Sequence, residues 1–106
     1  MGSVRYQIRD ENGQRIIDEI HRVVVYRFMM GDVEDPDLYA GQPIWDWQQT
    51  DAGKFVMKHA LTQPSWERQV DHTTLGYRYI IIAELEKKKL SEFYLRWGKD
   101  GSGKIR

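Results

Sequence analysis

The chain of 106 residues contains no cysteine, so it has no disulfide framework, thiolate nucleophile, iron–sulfur ligand or cysteine zinc site. It carries no excess charge either: sixteen basic residues balance sixteen acidic ones, which gives no global pull toward nucleic acid or an anionic membrane. Long apolar runs are missing as well. The longest, Tyr79 to Ala83, is far short of the roughly 20 residues a membrane helix needs. No signal-peptide apolar core follows Met1-Gly2-Ser3-Val4-Arg5, and Tyr6 stands where a myristoylation pattern wants Ser or Thr. These absences lead to the expectation of a cytoplasmic protein with no membrane association.

What is present is enough for one fold. A hydrophobic content of 41% with 12% aromatics argues against intrinsic disorder, and 12.6 kDa suits a single modest core. The expected organisation is one domain over residues 1–97 and a flexible polar tail over 98–106. Val4, Tyr6 and Ile8 alternate with polar residues as in a strand with one wet face, and Asn12-Gly13 is a strong hairpin turn. Residues 15–30 then predict a long central strand with a bulge near Asp18 to His21. On one face it sets Ile20, Val24, Tyr26, Phe28 and Met30, and on the other His21, Val23, Val25, Arg27 and Met29.

Residues 31–41 read as a loop, and Pro43 as a first-turn proline opening a helix over 43–60 that Gln63-Pro64 ends. Gly53, inside that helix, suggests close packing on the sheet. A short strand is expected over 66–70 and a clearer one from Tyr77 to Glu86. Lys87-Lys88-Lys89 then forms a hairpin tip, and Phe93, Leu95 and Trp97 return as a strand. The order β-β-α-(β)-β-β predicts an α+β fold: an antiparallel sheet of four to five strands with one main helix on a face.

Apparent chemistry motifs read better as structure. Gly98 to Lys104 has the spacing of a phosphate-binding loop, but Ile105 replaces the magnesium-holding Ser or Thr, and with only Arg106 after it no helix is expected to supply the amide nest. Asp32, Glu34, Asp35 and Asp37 suit a solvated turn before a helix better than a calcium loop, lacking its glycine and distal glutamate. His21, His59 and His72 form no metal-ligand spacing. Ser65, Ser91 and Ser102 sit in no nucleophile elbow, and the neighbours Asp71 and His72 with a carboxylate such as Glu84 leave acid–base chemistry as a third reading behind two binding ones. The expectation is a non-catalytic protein without metal or cofactor.

Two interaction surfaces stand out. Trp45 and Trp47 lie about 200° apart on a helix, so one faces solvent, where tryptophan favours protein hot spots. Trp66 beside Pro64 supplies another aromatic, and an exposed sheet edge offers strand pairing to a partner or a second copy. The alternative is single-stranded nucleic acid. Gly76-Tyr77-Arg78-Tyr79-Ile80 partly resembles the RNA-recognition-motif signature, with Tyr77 and Tyr79 to stack bases and Arg78, Lys87, Lys88 and Lys89 to meet phosphates. It departs from that signature at Leu75, Arg78 and Ile82.

Asp35-Pro36-Asp37-Leu38-Tyr39, Trp45-x-Trp47, Thr50-x-x-Gly53-Lys54-Phe55-Val56, His59-Ala60, Trp66 and Gly76 to Tyr79 together resemble small uncharacterised proteins of T4-like tailed bacteriophages, including those of marine bacteria. The resemblance covers about residues 23–97 and has no assigned activity. It implies an accessory protein of an infected bacterial cytoplasm or virion that binds a host or phage partner.

Overall fold

The computed structural model describes residues 3–31, 34–73 and 76–98. In chain order the elements are β1 (Ser3–Glu11), β2 (Gln14–Gly31), α1 (Pro36–Gln49), α2 (Asp51–His59), β3 (Ser65–Asp71), β4 (Gly76–Glu86) and α3 (Lys87–Trp97). The strands form one antiparallel sheet in the order β1-β2-β4-β3. The α+β class and antiparallel sheet therefore stand, with three helices among the described residues where the sequence predicts one main helix. Among the described residues no helix is long and apolar enough to cross a membrane.

The Asn12-Gly13 hairpin is a two-residue turn with both residues at positive φ, 54° and 77°, the mirror-image geometry that matches strand twist. β2 shifts register between Val24 and Tyr26, and again between Met29 and Gly31, rather than near Asp18 to His21. Because side chains alternate with period 2, one extra residue moves everything after it to the other face. Val23, opposite Ala83, therefore shares a face with Tyr26 and Phe28, opposite Ile81 and Tyr79. Ile20 and Val24 point the other way, with Arg27 and Met29. This splits the face predicted to join Ile20, Val24, Tyr26 and Phe28.

Odd-numbered residues of β4 and their β2 partners face the helices. Val25, Ile81, Ala83 and Leu85 pack with Trp47, Ala52, Phe55, Val56, Leu90 and Phe93 in one cluster. On the opposite face Ile20, Ile80 and Ile82 are buried as well, so β4 is apolar on both sides, as a central strand should be.

The helices correct the sequence reading at three places. Helix begins at Pro36 and not at Pro43, because Pro36 occupies the first turn with Asp37 behind it, favourable at the positive end of the dipole. Pro43 lies inside α1, where a missing N–H costs about 3 kcal/mol. Helix then breaks at Thr50, whose Oγ1 donates to the Trp47 carbonyl at 2.6 Å and accepts from the Gly53 N–H at 3.0 Å. Gly53 does mark close packing, but against α1 and not the sheet. A β-carbon there would sit 1.9 Å from the Trp47 carbonyl oxygen.

The third correction concerns residues 87–97, predicted as a lysine tip and a returning strand. They form α3, with Lys87, Lys88 and Lys89 in its first turn. Leu90, Phe93, Tyr94 and Trp97 at i, i+3, i+4 and i+7 make an apolar helical stripe, while Leu95 is 80% exposed. The expected tail beyond Gly98 lies outside the described residues, as do Asp32 and most of the phosphate-loop look-alike.

Candidate protein-docking surface on the first helix

Helix α1 separates its aromatic residues by geometry alone. Pro36, Ala40 and Trp47 point inward on one stripe. Leu38, Gln42, Trp45 and Gln49 follow at i, i+4, i+7 and i+11 on the opposite side, with Leu38 and Trp45 exposed by 73% and 56%. Tyr39, 58% exposed, borders this stripe beside Asp46, which accepts a hydrogen bond from Gln42 at 2.9 Å. Trp47 is 3% exposed and stacks on Tyr26 with ring centroids 5.8 Å apart. Its place among partner-binding residues is thereby corrected: Trp47 is nearly fully buried and holds α1 to the sheet. Its indole N–H is buried and finds no acceptor among the described residues.

The start of α1 is fastened to the sheet by polar contacts. The Tyr79 hydroxyl donates to the Asp37 carboxylate, and Arg68 of β3 lies 3.3 Å from the same oxygen. Burial, and then the Asp37 carboxylate, push the Tyr79 phenol up to about 12. Arg68 also covers the Tyr77 ring at 5.0 Å from its centroid. Asp35, Pro36, Asp37, Leu38, Arg68 and Tyr77 line an open depression of about 650 Å³. Along the other flank, Trp66, 45% exposed, packs its ring on Tyr79 at 5.5 Å. There Trp66, Pro64 and Gln63 meet Ile44, Trp47 and Gln48 around a smaller groove of about 260 Å³.

Charge distinguishes this segment of the sequence. Between Gly31 and Gly53 the sequence has Asp32, Glu34, Asp35, Asp37, Asp46 and Asp51 and neither lysine nor arginine. The first lysine is Lys54, and the helix α3 that follows holds Lys87, Lys88, Lys89 and Arg96 against Glu92. The chain is neutral as a whole but polarised, with an acidic, aromatic α1 and a basic α3.

The nucleic-acid residues are not brought together. Tyr79 is fully buried, stacked on Phe28 at 5.3 Å, so its ring has no face left for a base. Tyr77 is half-buried on the helix side, whereas Arg78 points to the other face and donates to Gln69 at 3.3 Å. Lys87, Lys88 and Lys89 lie at the far end of β4, where Lys87 is 3.9 Å from Glu19 and Lys89 is 3.6 Å from Glu92. The aromatic residues of β2, β3 and β4 share the helix-covered face by register, so the uncovered face of these strands has no stacking platform.

Catalytic groupings are equally sparse. His21 Nε2 is 2.7 Å from a Glu19 carboxylate oxygen. His59 packs on Phe55 with centroids 4.6 Å apart, and burial, then Lys89 and Lys58, lower its pKa. His72 and Ser65 are exposed and have no second catalytic group placed against them by any described contact. Among the described residues no three of His, Cys, Asp and Glu are gathered as a metal would need.

No family model, curated protein or solved structure matches the chain.

Proposed function

We propose that this is a non-catalytic protein-interaction domain that docks a basic, apolar-anchored protein segment on the outer face of α1. The observation that carries this reading is the exposed stripe of Leu38, Tyr39 and Trp45 in a segment rich in carboxylates and devoid of cations. Exposed tryptophan and tyrosine give large contact area with little side-chain entropy to lose, and clustered like charge selects a partner of the opposite sign. Trp66 and the groove beside it extend the surface toward β3. The resemblance to small T4-like phage proteins fits an accessory role of this kind, with a host or phage protein as the partner.

The test is a tryptophan-fluorescence titration with two synthetic amphipathic peptides, one lysine- and arginine-rich with leucine anchors, the other its charge-reversed counterpart. The basic peptide binds, binds less tightly as salt rises, and loses at least tenfold in affinity with Trp45→Ala while the melting temperature holds. Equal binding of both peptides, or of neither, overturns the reading. Parallel titration with single-stranded RNA gives no salt-sensitive quenching. If it did, and Tyr77→Ala abolished it, nucleic acid would become the ligand.

A further inference from the structure

A second surface, independent of α1, lies on β1. This strand pairs with β2 residue for residue, from Ser3 opposite Arg22 to Glu11 opposite Gln14, without a register shift. All nine of its residues are exposed, and its outer edge is paired with no strand among the described residues. β4 ends opposite Ile20, so residues 6–11 and 14–19 form a two-stranded ribbon beyond the four-stranded body. Such a ribbon is marginally stable in water by itself. Edge strands are ordinarily guarded by charged side chains, lysine above all, by proline, by a bulge or by short length. The sequence Ser-Val-Arg-Tyr-Gln-Ile-Arg-Asp-Glu has no lysine, proline or bulge, and of its charges Arg5 and Arg9 are engaged by Glu84 and Asp18 of the same chain. Val4, Tyr6, Ile8 and Ile17 lie on one face of the ribbon, exposed by 48%, 65%, 62% and 62%.

We infer that β1 pairs antiparallel with β1 of a second copy about a two-fold axis at Tyr6, joining the two sheets into one of eight strands. A two-fold axis normal to the sheet keeps each face on its own side, so residues of like parity stand opposite one another. Centring on Arg5 sets that arginine against itself. Centring on Gln7 sets Arg5 against Arg9 and Val4 against Asp10, and centring on Ile8 sets Tyr6 against Asp10. Centring on Tyr6 places Val4 opposite Ile8 and Tyr6 opposite Tyr6 on the apolar face, with Ser3 opposite Arg9 and Arg5 opposite Gln7 on the other. Apolar then meets apolar in rows 4, 6 and 8, rows 5 and 7 set arginine against glutamine, and no like charges stand directly opposite. Both arginines already have carboxylates of their own, Arg5 with Glu84 at 3.0 Å and Arg9 with Asp18 at 2.8 Å. The same register lays residues 7–9 of each ribbon along residues 3–5 of the other copy, where β2 and β4 back the strand. Each ribbon thus gains the neighbour it lacks. The edge is complementary to itself, and that selects a second copy as its occupant.

The test uses the full chain in sedimentation equilibrium over a wide concentration range, with single cysteines as reporters because the protein has none. A reversible monomer–dimer equilibrium is expected. Directly opposite residues come within disulfide reach, so Tyr6→Cys oxidises to a covalent dimer at least tenfold faster than Arg5→Cys, Gln7→Cys or Ile8→Cys. Val4→Cys cross-links to Ile8→Cys in a mixture faster than either does alone. Tyr6→Lys raises the dimer dissociation constant at least tenfold with the circular dichroism spectrum unchanged, and Trp45→Ala leaves it where it was. A monomer at every concentration overturns the inference. So does a dimer indifferent to Tyr6→Lys, one broken by Trp45→Ala, or one that cross-links fastest at another position. A monomer, a dimer indifferent to Tyr6→Lys or a different cross-linking position leaves peptide binding at α1 untouched, because that is read separately.

Discussion

β4 and β1 belong to the same sheet and are both legible as strands from alternating side chains, yet their surroundings are opposite. β4 has α1, α2 and α3 over one face and strands on both edges, and Tyr79 through Ala83 are buried without interruption. β1 has one neighbouring strand and no buried residue. Alternation states that a strand has two kinds of face, but what covers the apolar one depends on elements far away in sequence. In β4 it is covered by residues 40–56 and 90–93; in β1 no described helix reaches it. The same pattern therefore makes core in one place and an interaction surface in the other.

Trp47→Ala tests the covered side most severely. Loss of a buried indole stacked on Tyr26 costs about 4 kcal/mol, read as a fall in the denaturation midpoint, whereas Trp45→Ala two residues earlier leaves the midpoint within about 0.5 kcal/mol. Equal effects would erase the division between the two faces of α1. Gly53→Ala comes next, at about 3 kcal/mol, because the new methyl meets the backbone of Trp47 rather than a side chain able to move aside. A variant as stable as the parent would mean that α2 does not abut α1 there.

Tyr79→Phe keeps the buried ring and removes only the hydroxyl that holds Asp37. We expect a loss of about 1.5 kcal/mol, the worth of a hydrogen bond to a charged acceptor. The phenol itself sharpens the assignment in a pH titration. Its pKa is raised to about 12 from 10.0, so its contribution is complete below 10 and fades as pH climbs through 12. Absorbance at tyrosinate wavelengths should show a phenol titrating near 12 that is absent in Tyr79→Phe.

Glu84 links the two regions, since Arg5 of β1 reaches it across β2. Its pKa is lowered from 4.5, first by the Arg5 hydrogen bond. The stabilisation is present above 4.5 and is lost as pH falls through the lowered value. Acid melts of Arg5→Gln should lack part of this pH dependence. The smallest effect belongs to the bare ribbon: Tyr6→Ser, made where the protein is monomeric, should change stability by less than about 0.5 kcal/mol. A larger loss would show that the apolar face of β1 is covered within one chain.

The helical stop and start signals carried more of the fold than the proline spacing suggested. Asp35-Pro36-Asp37 opens α1, and Thr50 three residues before Gly53 is a cap that splits what the apolar periodicity joins into one helix over 43–60. In residues 87–97 two periods compete, Phe93-Leu95-Trp97 at two and Leu90-Phe93-Tyr94-Trp97 at the helical spacing. The helical one prevails because it buries Leu90 and Phe93 in the core and packs Phe93 and Trp97 on Phe55. The candidate site was half legible: helical geometry requires Trp45 and Trp47 to face apart, but which one is buried follows from where Tyr26 stands.

The amino-acid sequence by itself determined the α+β class, the Asn12-Gly13 turn, the four sheet strands and the opposition of the two tryptophans. These follow from local rules, namely backbone freedom at positive φ and periods of 2 and 3.6. Only the tertiary structure decided the bulge at Val25, and with it which of Val24 and Tyr26 meets the helices. It also decided that Tyr79 lies in the core and that, among the described residues, β1 ends the sheet with its apolar face bare. Burial and edge position are relations between residues distant along the chain, and no local spacing encodes them.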